Sequence, residues 1–481
     1  MNLKIVLKII GTVLFWESVL MTPSFIIAVI DNSFDRNAFL IAIGITATIG
    51  LILKNIKAKE YTLRKREAFA SVALCWLVIS LFGALPYYIS GITNSYIDAL
   101  FETASGFTTT GATIFSNVES LPPSMLFWRS FTLWIGGMGV LVFTMALAPS
   151  LGARSIFLME AEHAGLSPGR LVPKLSDTAK ILYAIYSTMT LITIIIFVIG
   201  GMPFFDAVIH AFGTAGTGGF SMKTYSIGHY NSVFLEWATV VFMFMFGINF
   251  SLYYIILKKD IKTVLRNEEL RFYGGLVIAS TVLIFINILP LYNYSLGDSL
   301  RNAAFQVTSV TTTTGFSITD LNMWPMFSKS LLLLLMFTGA CTGSTTGGMK
   351  LIRIIILFKS VLKEIKQTIH PGSISKIKID HKTIDNDGER SVLIFFFSYI
   401  FILFVTLVIL SLENFDFMTT FSAALSSLSN IGLGYGLIGP MGNFSEFSHL
   451  SKITMTMAMI IGRLEILPVI ALLSPSMWHK Q

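Results

Sequence analysis

The chain has 481 residues, of which 54% are hydrophobic and only 13% are charged. An ordinary soluble domain carries about twice that share of charge, so the composition excludes one and indicates a polytopic membrane protein. The two cysteines, Cys75 and Cys341, lie in apolar or Gly-rich stretches and predict neither a disulfide framework nor a zinc cluster. The formal net charge of +7 does not indicate a nucleic-acid partner, because the basic residues fall in loops between apolar spans.

Two apolar spans open the chain, at about residues 6–30 and 38–55. The first span contains Glu17 and lacks a small-residue cleavage site, which predicts a retained helix and not a signal peptide. A basic loop follows, with Lys54, Lys57, Lys59, Arg64, Lys65 and Arg66. Such loops stay in the cytoplasm, so the N-terminus is predicted to be cytoplasmic too. We interpret residues 1–60 as an accessory N-terminal helix pair.

Short runs of Thr and Gly then recur about every hundred residues. They are Thr109-Thr110-Gly111, Thr217-Gly218-Gly219, Thr313-Thr314-Gly315 and Asn430-Ile431-Gly432. Thirteen positions before each final glycine stands a residue of the type that caps helix N-termini, namely Asp98, Asp206, Asn302 or Thr419. About ten helical residues after such a cap span roughly 15 Å, half of a bilayer core. Each run is therefore predicted to end a re-entrant half-helix.

This repeat divides the chain into four pore units, at residues 68–150, 178–258, 270–360 and 390–475. Each unit is predicted to contain a span, a half-helix, a Thr/Gly strip and a second span. All basic loops between the units fall on the side of the N-terminus, which places the C-terminus in the cytoplasm as well. The predicted fold is an all-α polytopic membrane protein with four pseudo-symmetric helix–pore loop–helix units around one pore, plus the two accessory helices.

The strips have the chemistry of a cation filter. A helix C-terminus carries partial negative charge, so four of them aimed at one axis favour a cation. An extended strip can turn its carbonyl oxygens inward to replace the hydration shell of that cation. Glycine permits a positive φ angle and close approach of neighbouring backbones. The alternative is that these small residues only allow close helix packing.

The second span of the third unit is interrupted by a Gly-rich segment, Gly339 to Lys350. A polar, flexible break at membrane depth is expected to face a cavity. We interpret it as an intramembrane gate loop over residues 339–348, formed by Gly339, Cys341, Gly343, Ser344, Thr345, Gly347 and Gly348. The alternative is a kinked, tightly packed helix. A phosphate-binding loop is rejected because Met349 stands where that motif requires Lys.

The last span contains Gly462-Arg463-Leu464-Glu465. A charge inside a span is costly unless it meets water or a partner. Positions two apart do not face each other on a helix, so Arg463 and Glu465 are expected to have different partners. Arg463 points into the pore as a positive barrier, or both charges belong to buried ion pairs that hold helices together.

Together these motifs resemble the TrkH/KtrB/HKT superfamily of potassium transporters, and the extra N-terminal pair points to the TrkH branch. The likeness covers nearly the whole chain. It is carried by Thr109–Thr113, Thr217–Ser221, Thr313–Ser317, Asn430–Gly432, Gly339–Gly348 and Gly462–Glu465. It implies potassium uptake, with K⁺ bound at the strips, Gly111, Gly219, Gly315 and Gly432 as filter glycines, the Gly-rich loop as gate, and Arg463 as the pore-facing arginine.

The resemblance also implies partners and a location. Such proteins are usually homodimers in the cell inner membrane, and they work with a cytosolic nucleotide-binding ring of the TrkA type. That ring is expected to dock on the basic cytoplasmic loops. Membrane lipid is the remaining partner, and no cofactor is expected besides K⁺ as the transported ion.

Two other functional classes share single features with this sequence. A sodium-selective or ion-coupled secondary cation transporter is the alternative, since such proteins also use broken helices, but they usually show inverted repeats and these units run in one sense. An enzyme is not expected. Gly165-Leu166-Ser167-Pro168-Gly169 matches a hydrolase nucleophile pattern, but Pro168 has no N–H for an oxyanion hole.

Overall fold

The computed structural model describes residues 2–57, 65–139, 175–371, 376–380 and 382–473. In this part of the chain lie twenty α-helices and one two-stranded hairpin. The first ten helices are α1 Leu3–Leu20, α2 Thr22–Ile30, α3 Arg36–Lys54, α4 Lys65–Gly83, α5 Leu85–Ile89, α6 Tyr96–Phe107, α7 Pro123–Gly137, α8 Leu175–Ile199, α9 Phe204–Gly216 and α10 Val233–Phe246. The others are α11 Phe250–Leu257, α12 Ile261–Arg266, α13 Glu268–Ile288, α14 Leu296–Thr311, α15 Met326–Thr338, α16 Leu351–Ile369, α17 Asn386–Leu410, α18 Phe417–Ser429, α19 His449–Arg463 and α20 Leu467–Leu473.

The hairpin joins α16 to α17. Its strands are β1 Lys378–Ile379 and β2 Lys382–Thr383, and Lys378 pairs with Thr383. Three predicted features lie outside the described residues: Lys59 and Arg64 of the first basic loop, the first unit's second span beyond residue 139, and the Gly165–Gly169 pattern.

Four short helices precede the Thr/Gly strips, as the repeat predicts, but their caps were misplaced. The helices α6, α9, α14 and α18 have 12, 13, 16 and 13 residues. The predicted caps Asp98, Asp206 and Thr419 are third residues of their helices, and Asn302 is the seventh of α14. The observed N-caps are Ser95, Pro203, Ser295 and Asp416. A polar residue at the third position also favours a helix start, because it lies near the positive end of the dipole, and it imitates a cap in sequence.

The second helix of three units is broken. The predicted second span of the unit at 178–258 consists of two helices, α10 and α11, which meet at a 91° bend around Gly247–Asn249. The third unit breaks between α15 and α16, at the predicted Gly-rich segment, and α16 then runs on to Ile369, past the predicted end of the unit at residue 360. In the fourth unit α19 ends at Arg463, and Glu465 and Ile466 have positive φ angles of 55° and 68°.

Long apolar helices surround these broken ones. Six helical segments among the described residues are long and apolar enough to cross a membrane, and the bent pair α10–α11 makes a seventh. The accessory helices α1 and α3 pack closely on each other, since a Cβ at Gly50 would lie 2.7 Å from the Phe15 nitrogen. The outward faces of α8, α13 and α17 carry exposed apolar side chains, such as Ile195, Ile278 and Phe397. These faces suit a lipid environment.

The units follow one another in a closed cycle. Helix α7 of the first unit packs on the half-helix α9 of the second, and α10 of the second packs on α14 of the third. Helix α15 of the third packs on α18 of the fourth, and α19 of the fourth packs on α6 of the first. The four half-helices therefore converge, and the strips that follow them meet at the centre.

Candidate functional site

All four strips have the same backbone conformation. Their first residues, Thr109, Thr217, Thr313 and Asn430, have φ angles of 56°, 52°, 54° and 56°. Their glycines, Gly111, Gly219, Gly315 and Gly432, have φ angles of 79°, 66°, 79° and 77°. The middle N–H of each strip donates to a carbonyl five residues earlier, over 2.8–3.0 Å: Thr110 to Ser105, Gly218 to Gly213, Thr314 to Ser309 and Ile431 to Ser426. The fourth strip, with little Thr, therefore folds like the Thr-rich ones.

The strips touch one another in a ring. A Cβ placed on each glycine would collide with the middle carbonyl oxygen of the next unit. The distances would be 1.6 Å from Gly111 to Gly218, 2.1 Å from Gly219 to Thr314, 2.1 Å from Gly315 to Ile431 and 2.2 Å from Gly432 to Thr110. The order runs from the first unit to the fourth and back to the first. Glycine is required at these positions for its conformation and for the close approach of the neighbouring carbonyl.

Side chains on the half-helices brace the strips from behind. Glu102, His210 and Gln306 occupy matching positions, and each bonds a hydroxyl eleven residues later, on Thr113, Ser221 and Ser317 respectively. In the fourth unit the hydroxyl of Ser422 accepts the N–H of Tyr435 at 3.0 Å. Glu102 and His210 thus lie behind the strips.

Arg129 links two adjacent units behind their strips. Its guanidinium pairs with Glu102 at 2.6 Å and donates to the Ser221 carbonyl of the second unit at 3.1 Å. It also stacks on Phe220, 3.9 Å from the ring centre. Arg129 and Glu102 are both almost fully buried, and Arg129 connects this ion pair to the residues that follow the second strip.

The Gly-rich segment forms a folded loop whose ends are pinned together. The Met349 N–H donates to the Phe337 carbonyl at 3.2 Å, and the Leu351 N–H donates to the Ala340 carbonyl at 3.1 Å. Between these bonds lie all the predicted gate residues, Gly339, Cys341, Gly343, Ser344, Thr345, Gly347 and Gly348. We call residues 339–350 the intramembrane loop.

One arm of the intramembrane loop lies directly against the strips. The Gly347 N–H donates to the Thr313 hydroxyl at 2.8 Å. A Cβ on Gly347 would lie 2.3 Å from the Ser429 carbonyl oxygen, so the fourth strip is in close contact as well. The other arm contacts the bend of the second unit, where the Cys341 N–H donates to the Gly247 carbonyl at 3.1 Å.

Arg463 joins the intramembrane loop to the first unit. Its guanidinium donates to the Thr345 carbonyl at 2.7 Å and to the Gly136 and Gly137 carbonyls at 2.6 and 2.7 Å. Glu465 forms a buried ion pair with Arg353 of α16. The two charges have different partners, as their spacing predicted. Glu465 is a member of a buried ion pair, as the second alternative predicted for both charges. The Arg463 contacts described above are instead to backbone carbonyls.

Comparison with known proteins identifies the chain. The TrkH family model, described as a cation transport protein, matches residues 35–480. The chain belongs to the TrkH family. The Trk system potassium uptake protein TrkH of Halomonas elongata is 35% identical over 489 residues, and TrkG of Escherichia coli is 34% identical over 483. These alignments cover 100% of this chain and 100% and 99% of the relatives.

The fold of a solved TrkH is the same. The crystal structure of the potassium transporter TrkH from Vibrio parahaemolyticus superposes with a TM-score of 0.89 at 30% identity, over 100% of both chains. The predicted resemblance and the all-α membrane fold are confirmed. Membership in a family of transport proteins also confirms that the protein is a transporter and not an enzyme.

In this TrkH-family chain the strips and the intramembrane loop separate two cavities. One is an open-mouthed depression of about 680 Å³ lined by the four strip glycines, with Arg129 and Lys223 at its side. The other, of about 500 Å³, is lined by Gly343 and Gly347 of the loop and by Lys350, Arg463 and Glu465. The strip glycines thus border the first cavity, and the loop borders the second.

Sequence reasoning missed three charged residues of this TrkH-family site. Arg129 and Arg353 lie in apolar stretches of the first and third predicted units, and Glu269 lies just before the third unit. A charged residue within an apolar span is itself a signal of a functional or structural partner, and it would have found the two arginines. Glu269 carried no such signal, because the chain around it reads as a polar loop.

Proposed function

We propose that this protein takes up potassium across the cell membrane through the ring of four strips. The observation that carries the proposal is the closed ring, in which each strip glycine faces the middle carbonyl of the next unit. Relatives at 34–35% identity over the full chain are named potassium uptake proteins. The strip residues Thr109 to Gly111, Thr217 to Gly219, Thr313 to Gly315 and Asn430 to Gly432 form the selectivity filter.

The filter works by replacing water. Backbone carbonyls of four strips present oxygen ligands that substitute for the hydration shell of a cation. The ends of four half-helices add partial negative charge around the same axis. The bracing side chains behind the strips hold the carbonyls at a fixed separation, which favours K⁺ over the smaller, more strongly hydrated Na⁺.

The intramembrane loop is the gate, and its present position is closed. It contacts the third and fourth strips through Gly347 and reaches the first unit through Arg463. A cation that leaves the filter on this side meets the Arg463 guanidinium at low effective dielectric, where repulsion over about 4 Å is worth roughly 4 kcal/mol. Conduction therefore requires the loop and Arg463 to move together.

The protein forms a homodimer in the membrane and carries a cytosolic regulatory ring of the TrkA type. Helices α16 and α17 border a groove of about 1620 Å³ lined by apolar side chains, among them Phe358, Val361, Ile365 and Phe397. Several of these belong to the part of α16 that carries Lys359, Lys363 and Lys366, next to the basic loop predicted to be cytoplasmic. Apolar groups there are unfavourable in water, so a second copy covers them.

With both termini cytoplasmic, the regulatory ring docks on the basic loops.

Purified protein in proteoliposomes tests the proposed function. An outward-directed gradient and a fluorescent reporter of membrane potential measure K⁺ and Na⁺ flux in otherwise identical vesicles. We expect K⁺ flux well above Na⁺ flux. Equal or greater Na⁺ flux would favour the sodium-selective alternative, and flux that depends on a proton or sodium gradient would favour an ion-coupled transporter.

A further inference from the structure

The first turn of α13 carries two adjacent glutamates that face opposite surroundings. Glu268 is partly exposed and pairs with Lys359 of α16. Glu269 is 6% exposed and accepts the Thr342 N–H of the intramembrane loop at 2.7 Å. The same helix end therefore contacts α16 on one side and the predicted gate on the other.

Glu269 holds the arm of the loop that does not touch the filter. The backbone of the second unit's bend makes the neighbouring bonds: Cys341 N–H to the Gly247 carbonyl, and Phe250 N–H to the Gly343 carbonyl at 3.0 Å. The bond to Thr342 differs because its acceptor is a carboxylate, and hydrogen bonds to charged groups are about twice as strong as neutral ones.

The same turn is tied to the cytoplasmic hairpin. Asp380, between β1 and β2, accepts the Asn267 side-chain N–H and the Glu268 backbone N–H, each at 2.7 Å. The Lys359 ammonium donates to the Lys378 carbonyl of β1 at 2.7 Å. Helix α16 starts where the loop ends. Direct contacts therefore connect the hairpin to α16 and to the first turn of α13, and both of these elements contact the loop.

We propose that Glu269 is a positioning residue that latches the intramembrane loop in its closed position, and that the Asn267–Glu269 turn couples this latch to strands β1 and β2 through Asp380. Releasing the carboxylate frees the Cys341–Gly343 arm. A displacement of the hairpin moves the same turn, so an event at the cytoplasmic surface changes the strength of the latch. The consequence for ion flow rests on the proposed gating role of the loop, whereas the latch itself does not.

The chain contains its own reporter of the latch. Its two cysteines are Cys75 and Cys341, and Cys341 lies beside Thr342 with 1% exposure. In a Cys75→Ala background, the labelling rate of Cys341 by a small membrane-permeant maleimide measures how often this arm opens. We expect Glu269→Leu to raise that rate at least about tenfold, because a hydrogen bond to a charged group contributes that much to the closed state. Glu269→Gln keeps a neutral acceptor, so its labelling rate is expected to lie between those of the parent and of Glu269→Leu.

Glu17→Leu is the matched control. Glu17 is 3% exposed in α1, far along the chain from the loop, and its removal deletes a buried carboxylate without touching Thr342. Its Cys341 labelling should equal that of the Cys75→Ala parent. A parental labelling rate in Glu269→Leu would overturn the latch. If that variant does not insert, a parental rate in Glu269→Gln would overturn it instead.

Flux separates the latch from the gate. The same variants in proteoliposomes are expected to raise K⁺ flux per inserted molecule in the order parent, Gln, Leu, with an unchanged ratio of K⁺ to Na⁺. Faster labelling without a rise in flux would leave the latch standing and remove the gating role from the proposed function. Coupling to the hairpin is tested with Asp380→Asn, which is expected to increase labelling less than Glu269→Leu. A parental rate in that variant would overturn the coupling.

Discussion

The ring geometry makes Gly111→Ser a sharp test of the filter. A Cβ at Gly111 would lie 1.6 Å from the Gly218 carbonyl oxygen, and an ordinary contact needs at least 3.4 Å, so the neighbouring strip must shift by about 1.8 Å. The positive φ angle of 79° adds about 1–2 kcal/mol of backbone strain for any L residue. We expect the K⁺ to Na⁺ flux ratio to fall at least about tenfold, which corresponds to about 1.4 kcal/mol of differential binding.

Gly91→Ser controls for the strain. Gly91 has a similar φ angle of 75°, but a Cβ there would meet no atom within 4 Å. Both variants carry the backbone strain of a positive φ angle, but only Gly111→Ser adds the clash with the neighbouring strip, so only Gly111→Ser should lose selectivity. Proteoliposome flux with K⁺ and Na⁺, normalised to inserted protein, gives the ratio. A wild-type ratio in Gly111→Ser, or an equal loss in Gly91→Ser, would refute the assignment of Gly111 to the filter.

Three further outcomes follow from the loop and its charges. Deletion of Gly343–Thr346 should raise basal K⁺ flux per inserted molecule and weaken its dependence on the regulator. Arg463→Gln should raise K⁺ flux with little change in selectivity, because it removes a repulsion of roughly 4 kcal/mol outside the filter. Glu465→Gln should lower the thermal stability of the protein, because it leaves Arg353 buried without its carboxylate partner, at a cost of about 3–5 kcal/mol.

These outcomes can each fail in a recognisable way. If the loop only packs a kink, its deletion should reduce folded protein and specific flux together. Unchanged flux in Arg463→Gln, with normal insertion, would assign that arginine to scaffolding. The third outcome is checked with Arg353→Met combined with Glu465→Gln, which should recover stability, whereas Arg463→Gln combined with Glu465→Gln should not. If stability recovered in the Arg463→Gln and Glu465→Gln double variant, Arg463 and Glu465 would be paired with each other.

The sequence by itself determined the repeat. Each unit needs a glycine where its strip has a positive φ angle, and a polar residue near the start of its short helix. Both requirements are local, so they can be recognised in the residues of each unit separately. That is why the four strips were identified at Gly111, Gly219, Gly315 and Gly432. The sequence does not locate the helix starts as closely, since Asp98, the acid in the third helical position of α6, has the same capping chemistry as the true cap Ser95, three residues before it.

Only the tertiary structure decided how the charges pair and where the helices break. Glu269 meets Thr342 across 73 residues, and Arg353 meets Glu465 across 112, because closing the ring brings distant units side by side. The 91° bend after Phe246 replaces an apolar segment that reads as one helix, because the intramembrane loop supplies hydrogen-bond partners to the opened backbone at Gly247 and Phe250. Such contacts depend on which surfaces the folded units present to each other, and no local pattern of residues encodes them.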